Sequence, residues 1–262
     1  MIKKLPSLQV ICAAILMVHL PAVVVGQTTA LSVQALSAGL RPMGISTLGP
    51  TTSPSQILVV VANSGENSVS VLEITPSRFY PDFSVLASST QISGVPSPYG
   101  VTGCGVGVFV ATSPADNSIS FVNAREGTVK ATVTVGSQPY SAACFGSNVF
   151  VSNYGDSTVS VVDRNSFAVT RTIPNVPGSR GLRGVAVAVD TRDIQTLWVA
   201  GTNADVVTIV NPTTGNIVAS IPVRSPTFLK YSRIVDGFTG GFVRVGSSLA
   251  RIIHERAREG FL

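Results

Sequence analysis

The fold is decided by a stretch that recurs along the chain, Val151-Ser152-Asn153-Tyr154-Gly155-Asp156-Ser157-Thr158-Val159-Ser160-Val161. A close copy reads Val61-Ala62-Asn63-Ser64-Gly65-Glu66-Asn67-Ser68-Val69-Ser70-Val71. Looser copies begin at Val110 and at Val199. Self-similarity at a period of roughly 40–50 residues is typical of repeat architectures built from short strands, most often a propeller.

One repeat unit divides into four short strands. Residues 139–144 form an apolar first strand, and residues 148–151 form a second that is apolar and β-branched. Residues 153–157 carry the glycine and aspartate that favour a tight turn. Residues 158–162 alternate between polar and apolar side chains, as a half-buried strand does, and residues 167–173 supply the fourth strand. Four antiparallel strands per unit make one propeller blade.

Three further units follow the same order, opening at Pro42, Pro98 and Leu182. A fifth is partial, with residues 226–230 as its opening and residues 241–245 as its second strand. The sequence therefore predicts an all-β fold, a β-propeller of four-stranded antiparallel blades with about five units, four clear and the fifth partial.

The central strands are apolar at both alternate positions, because each blade lies between two others and neither face of its sheet meets water. We expect stacking of the blades to bury the side chains of Val108, Phe109, Val110, Phe150, Val159 and Trp198. Burial of apolar area at about 25 cal/mol per Å² is then the main source of stability.

The two ends of the chain differ from the repeats. Residues 29–36 stand where a fourth strand belongs, so we expect them to pair with the C-terminal unit and close the ring, which removes exposed sheet edges. A truncated form of a larger propeller is the alternative. Residues 248–259 read as a basic amphipathic helix that caps an open blade, with attachment to a membrane or nucleic acid as the alternative. The predicted domains are a leader (1–26), the propeller (27–245) and a tail (246–262).

The first residues have the pattern of a secretory signal peptide. Lys3 and Lys4 precede an apolar stretch at residues 11–25, and Gly26 or Ala30 offers a cleavage point. The alternative, an uncleaved anchor, needs about 20 unbroken apolar residues. We therefore expect an exported protein, secreted, periplasmic or on the cell surface, with no transmembrane segment after cleavage.

The composition fits an exported all-β protein and gives no sign of a nucleic-acid partner. The formal net charge is +5 at pH 7, and it falls by two when Lys3 and Lys4 are removed. The remaining basic residues are scattered outside the tail, whereas a nucleic-acid site needs them clustered on one face.

Residues 149–163 resemble the Tyr-Val-Thr-Asn repeat of bacterial and archaeal surface-layer-type β-propellers. Residues 98–101 are similar to the opening strand of that family, and residues 170–174 to its closing strand. The resemblance covers residues 41–223 and implies exported proteins, often with seven blades, without implying one function. The second unit departs from the repeat at residues 112–115, and the fourth has Gly201 in place of asparagine.

The residue types that carry catalytic chemistry are sparse in this sequence. His254 is the one histidine left after leader cleavage, and it lies in the atypical tail. Residues 103–107 are rich in glycine but lead into a strand, which favours a β-turn over a phosphate loop. Acidic side chains recur in the turns after the second strands, which favours turn chemistry; they are Glu66, Asp116, Asp156 and Asp205. We expect no catalytic, cofactor or metal site.

Cys104 and Cys144 lie near the ends of first strands in adjacent units. In an oxidising compartment they are candidates for a disulfide that joins two blades, and two buried thiols are the alternative.

Two functional hypotheses follow from these patterns. The first is an exported binding, scaffold or surface-interaction module for an unknown protein, glycan or small-molecule ligand. Its candidate ligand contacts are Tyr99, Tyr140 and Tyr154. Because Tyr99 and Tyr140 recur in the repeat, a structural role is the alternative for these two. The second is a metal-dependent hydrolase or lyase of the lactonase-like kind, with a divalent ion held by carboxylates at the axis.

Overall fold

The computed structural model describes residues 38–48, 57–76, 85–178, 180–189, 195–233 and 241–245. Strands make up most of these ranges, and the one helical segment among them is a 3-10 turn at Thr202–Ala204. The strands are β1 (Pro42–Leu48), β2 (Ile57–Asn63), β3 (Ser68–Pro76), β4 (Val85–Ser93), β5 (Gly100–Gly103), β6 (Val108–Ser113), β7 (Ser118–Asn123), β8 (Thr128–Thr134), β9 (Pro139–Phe145), β10 (Asn148–Asn153), β11 (Thr158–Asp163), β12 (Ala168–Ile173), β13 (Leu182–Val189), β14 (Gln195–Gly201), β15 (Val206–Val210), β16 (Ile217–Pro222), β17 (Leu229–Arg233) and β18 (Gly241–Val245).

The strands form four sheets of four antiparallel strands, each in chain order. We call them blade 1 (β1–β4), blade 2 (β5–β8), blade 3 (β9–β12) and blade 4 (β13–β16). The strands β17 and β18 pair as a two-stranded sheet, in which Tyr231 lies opposite Val243. The predicted all-β fold of four-stranded blades is therefore confirmed, with four complete blades and part of a fifth in the described ranges.

Each interface between neighbouring blades contains one apolar cluster. Phe109 and Ala111 of β6 pack with Val60 and Val71 of blade 1, while Val110 joins the cluster shared with blade 3. A third cluster fills the interface of blades 3 and 4, and a fourth joins blade 4 to β17. Alternate residues of one strand therefore face different neighbours, which explains why both faces of the central strands are apolar.

The first strands of neighbouring blades lie side by side, whereas the fourth strands contact one another much less. The blades therefore fan outward from the first strands, which form the inner edge of the molecule. The spacing is so close that a Cβ on Gly44 would lie 2.6 Å from the carbonyl oxygen of Tyr99. A Cβ on Gly100 would lie 2.8 Å from the carbonyl oxygen of Tyr140. Glycine after the opening position thus permits the close approach of the inner strands.

A hydrogen bond that recurs four times ties each blade to the next. The side-chain oxygen of Asn67 accepts the backbone N–H of Ser97 at 2.9 Å, and Asp205 accepts that of Ser225 at 2.7 Å. The equivalent bonds in blades 2 and 3 join Asn117 to Gln138 and Ser157 to Arg180. All eight residues have positive φ.

All four acidic side chains lie in turns between second and third strands, as the sequence predicts. Within its turn, Asp205 stands at the position of Asn67 and not at that of Glu66, because it makes the bond that Asn67 makes in blade 1. The turns of blades 1 and 4 have the same length, so the Glu66 position of blade 4 holds Ala204.

Several sequence predictions lie outside the described residues: the leader (1–26), the closing strand (29–36), His254 and the tail helix (248–259). Within the ranges that the structure describes, no helix has the length and hydropathy needed to cross a membrane.

Candidate tyrosine–arginine site

Side chains from three blades meet at the end of the molecule where the first strands begin, which we call the opening face. Tyr99 directly precedes β5, Tyr140 is the second residue of β9, and Arg183 is the second residue of β13. Because the inner strands lie side by side, residues at this shared position of successive blades become neighbours. Tyr154 reaches the same place from the turn after β10, where its N–H donates to the carbonyl of Gln138 at 2.9 Å.

The three predicted contact tyrosines form one cluster. The ring centroids of Tyr99 and Tyr140 are 4.9 Å apart, and their hydroxyl oxygens share a hydrogen bond of 3.0 Å. The rings of Tyr140 and Tyr154 are 6.2 Å apart. All three side chains are half-buried, so each keeps part of its surface open to solvent.

Arg183 completes this cluster. Its guanidinium carbon lies 5.4 Å from the ring centroid of Tyr140 and 5.6 Å from that of Tyr154, within cation–π range. Its Nε is buried and has no hydrogen-bond partner among the described residues. No carboxylate of the described ranges pairs with Arg183. We call the four residues Tyr99, Tyr140, Tyr154 and Arg183 the tyrosine–arginine cluster.

The environment keeps the central tyrosine neutral. Burial raises the pKa of Tyr140 to about 12, and its hydrogen bond with Tyr99 acts in the same direction, while the nearby Arg183 charge opposes the shift. The phenol of Tyr140 is therefore protonated at physiological pH and remains a hydrogen-bonding group without charge.

Hydroxyls on the second strands hold the backbone of the cluster. Thr112 Oγ1 donates to the carbonyl of Tyr140 at 3.1 Å, and the N–H of Gly100 donates to Thr112 Oγ1 at 3.0 Å. At the equivalent position of blade 3, Ser152 Oγ donates to the carbonyl of Arg183. The backbone carbonyl at the second residue of β9 and of β13 is thus held by a hydroxyl of the preceding blade.

The repeated asparagine has a structural role next to the site. Asn153 Nδ2 donates to Thr158 Oγ1 at 2.8 Å and to Ser160 Oγ at 2.9 Å. Asn63 Nδ2 makes the corresponding bonds to Ser68 Oγ at 3.2 Å and Ser70 Oγ at 2.9 Å. These fully buried amides join the second strand to the third, which explains the asparagine of the repeat without a ligand.

Asp156 and Asp205, two of the acidic turn residues, accept hydrogen bonds from backbone N–H groups. Asp156 accepts the N–H of Ser137 at 2.7 Å and the N–H of Thr158 at 3.1 Å. In the part of the chain that the structure describes, no three histidine, cysteine, aspartate or glutamate side chains form a group suited to a metal ion. Residues 103–107 form a turn between β5 and β6, in which the N–H of Val108 donates to Gly105.

The structure places Cys104 and Cys144 together at the opposite end of the same first strands. Their Cα atoms lie 5.3 Å apart, a separation within the range of disulfide bonds. The two cysteines lie at the ends of neighbouring inner strands whose other ends carry Tyr99 and Tyr140.

Sequence reasoning missed Arg183. The signal was present in the repeat alignment, since Arg183 follows the opening residue of its unit as Tyr99 and Tyr140 do. The same position holds Met43 in blade 1 and Phe228 before β17, with 51% and 54% of their surfaces exposed.

Comparison with known proteins supports the fold. The structure resembles the Kuenenia stuttgartiensis hydrazine synthase at a TM-score of 0.55 and 14% identity, over 78% of this chain and 55% of that one. It resembles BBS1N, solved in complex with ARL6DN and soaked with lead, at 0.57 and 13%, over 79% and 63%. It resembles apo AztD from Citrobacter koseri at 0.50 and 13%, over 76% and 50%.

These solved structures are longer, since this chain spans between 50% and 63% of their lengths. No protein-family model and no curated protein matches the sequence. At such low identity the likeness shows the fold alone. The chain therefore has a β-propeller fold, and its function has to be argued from its own residues.

Proposed function

We propose that this chain is an exported β-propeller of the Tyr-Val-Thr-Asn repeat type that binds a ligand at its opening face. The observation that carries the proposal is the tyrosine–arginine cluster, in which side chains of three blades converge beside the inner strands. The predicted leader supports export, and the resemblance at residues 149–163 supports the repeat type.

The cluster has the chemical make-up of a binding site. Tyrosine presents a large apolar face and a polar hydroxyl at a low cost in conformational entropy, and arginine adds a fixed fork of donors. Partial exposure leaves these groups accessible, and the second-strand hydroxyls keep their backbone in place. Preorganised side chains lose less entropy when a ligand binds. No observation on the described residues favours the metal-dependent hydrolase or lyase.

Binding is tested with an array of glycans and small molecules that is probed with the wild-type protein and a Tyr99→Ala/Tyr154→Ala variant. We expect the variant to lose the ligands that the wild type binds, because two of three ring faces are removed. Val218→Ala is the control, since Val218 lies on an outer strand with 58% of its surface exposed. Circular dichroism checks that all three proteins fold. Retention of every ligand by the folded double variant contradicts the proposal, as does an array on which the wild type binds nothing.

Export is tested by expressing the full chain in a bacterium and determining the mass of the protein outside the cytoplasm. We expect a chain that begins at Gln27 or Leu31, after cleavage at Gly26 or Ala30. A chain retained in the cytoplasm with residues 1–26 intact contradicts the leader.

A further inference from the structure

We propose that the opening face recognises a sugar-sized ring that carries one carboxylate, the chemistry of a uronic acid, with Arg183 as the group that binds the carboxylate. This inference rests on the proposed function and specifies its ligand class. It follows from the charge, the donor geometry and the exposed faces of the tyrosine–arginine cluster.

The positive charge of Arg183 has no carboxylate partner among the described residues. The guanidinium is half-buried against the rings of Tyr140 and Tyr154, and no carboxylate among the described residues pairs with it. A buried cation is normally paired with an anion, since removal from water is costly. Cation–π contacts offset part of that cost and hold the group in place but leave its charge uncompensated. An anionic ligand would supply the missing partner.

The charge and shape of Arg183 favour a carboxylate over other anions. The tyrosine beside Arg183 is neutral, so one guanidinium provides the positive charge of the cluster. A single cation matches a singly charged carboxylate better than a phosphate, which carries about −1.5 to −2 at neutral pH. The planar fork of arginine also matches a carboxylate with two parallel hydrogen bonds.

The carboxylate next in sequence to the cluster is engaged elsewhere. Asp156 follows Tyr154 by two residues in the same turn, and its oxygens accept bonds from Ser137 N–H, Thr158 N–H and Thr158 Oγ1. Because backbone and hydroxyl donors of its own turn region bind this carboxylate, it leaves Arg183 available to a ligand.

The tyrosines favour a ligand with a saturated, hydroxylated ring. The hydroxyls of Tyr99 and Tyr140 share one hydrogen bond, so one of them donates to the other and the accepting hydroxyl keeps its own proton to donate. The ring faces supply apolar surface beside these polar groups. A saturated ring with hydroxyls on its edge and C–H groups on its faces matches both features.

The experiment is a calorimetric titration of the full-length processed protein with D-glucuronate, D-glucose and inorganic phosphate. We expect glucuronate to bind, and glucose and phosphate to bind at least about tenfold more weakly, because a hydrogen bond to a charged group contributes about 1.5–3 kcal/mol. Arg183→Gln should weaken glucuronate binding by about the same factor without changing the weak binding of glucose. Arg183→Lys keeps the charge but loses the planar fork of donors. Its affinity for glucuronate should therefore lie between those of the wild type and Arg183→Gln.

Three results would overturn the inference. Equal binding of glucose and glucuronate shows that the carboxylate is not read, although ligand binding at the opening face would stand. Equal binding of phosphate shows a general anion site. Failure of glucuronate to bind, when the array identifies other ligands that need Tyr99 and Tyr154, refutes the uronate class alone.

If Arg183→Gln does not fold, Arg183→Lys and Tyr154→Phe serve instead, and unchanged glucuronate affinity in Arg183→Lys contradicts bidentate recognition.

Discussion

The blade interfaces and the opening face are built from opposite kinds of side chain. At the interfaces, equivalent positions hold similar apolar residues, such as Val61, Ala111, Val151 and Val199, all at most 2% exposed. At the opening face, one equivalent position holds four residue types in five units; the residues are Met43, Tyr99, Tyr140, Arg183 and Phe228. The blade interfaces need apolar residues at every blade, because each interface has to exclude water.

The difference shows where information about fold and function lies in a repeat protein. Residues that repeat are explained by stacking and by strand-to-strand bonds, as Asn63 and Asn153 are. Residues that vary at a fixed backbone position are free of that requirement. The proposed ligand site therefore lies at the variable position next to the inner strands.

The largest expected effect separates two phenylalanines. Phe109 is fully buried between blades 1 and 2, whereas Phe228 at the opening face is 54% exposed. We expect Phe109→Ala to lower the free energy of unfolding by about 3–5 kcal/mol, because it removes buried area and leaves a cavity. Phe228→Ala should cost less than about 1 kcal/mol. Urea unfolding measures both, and similar losses would erase the distinction between the two regions.

The next effect concerns the cross-link below the opening face. We propose that Cys104 and Cys144 are oxidised in the exported protein. A Cys104→Ser/Cys144→Ser variant should then lose about 2–4 kcal/mol of unfolding free energy, since the bond restricts the unfolded chain. Thermal unfolding before and after reduction tests the same point in the wild type. Two reactive thiols in the denatured, unreduced exported protein would contradict the pairing.

A smaller effect compares blades 2 and 3. Asn153→Ala removes the partner of Thr158 and Ser160, and should cost about 1–3 kcal/mol. Ser113 stands at the same repeat position in blade 2, and its buried hydroxyl has no partner among the described residues. Ser113→Ala should therefore cost less than Asn153→Ala in denaturant unfolding. A larger loss for Ser113→Ala would show that the asparagine bonds do not join the strands.

The smallest effect is a pH dependence at the opening face. The pKa of Tyr140 rises from 10.0 to about 12 in the folded protein, mainly through burial. The folded chain therefore keeps a proton that the unfolded chain loses above pH 10, so this contribution to stability is full below pH 10 and is lost as the pH rises to about 12. Phenolate absorbance should show a late-titrating tyrosine that is absent in Tyr140→Phe. Identical titration curves would contradict the burial of this phenol.

Much of the fold was predictable from sequence, because burial between two blades imposes the same apolar pattern in every unit. Strands β10 and β11 begin at the predicted residues, and β18 has the predicted bounds. The role of Asp205 was not predictable from residue type, because it stands at the position of Asn67, whereas the other acidic turn residues stand one position earlier.

The site was only partly predictable. The tyrosines were identified as candidate contacts, but their convergence depends on which first strands lie side by side, and that is a property of the assembled blades. Arg183 carries no motif of its own. Its role appears only when the rings of Tyr140 and Tyr154 are seen beside its guanidinium.

The central claim is that four equivalent sheets stack around a shared inner edge, and native-state hydrogen exchange tests it most directly. We predict slow amide exchange in the second and third strands of all four blades, because these strands pair on both sides and their sheets pack against neighbouring blades. The fourth strands β4, β8, β12 and β16 should exchange faster, since they form the outer edge. Slow exchange confined to one or two of the four sheets would contradict the stacked arrangement.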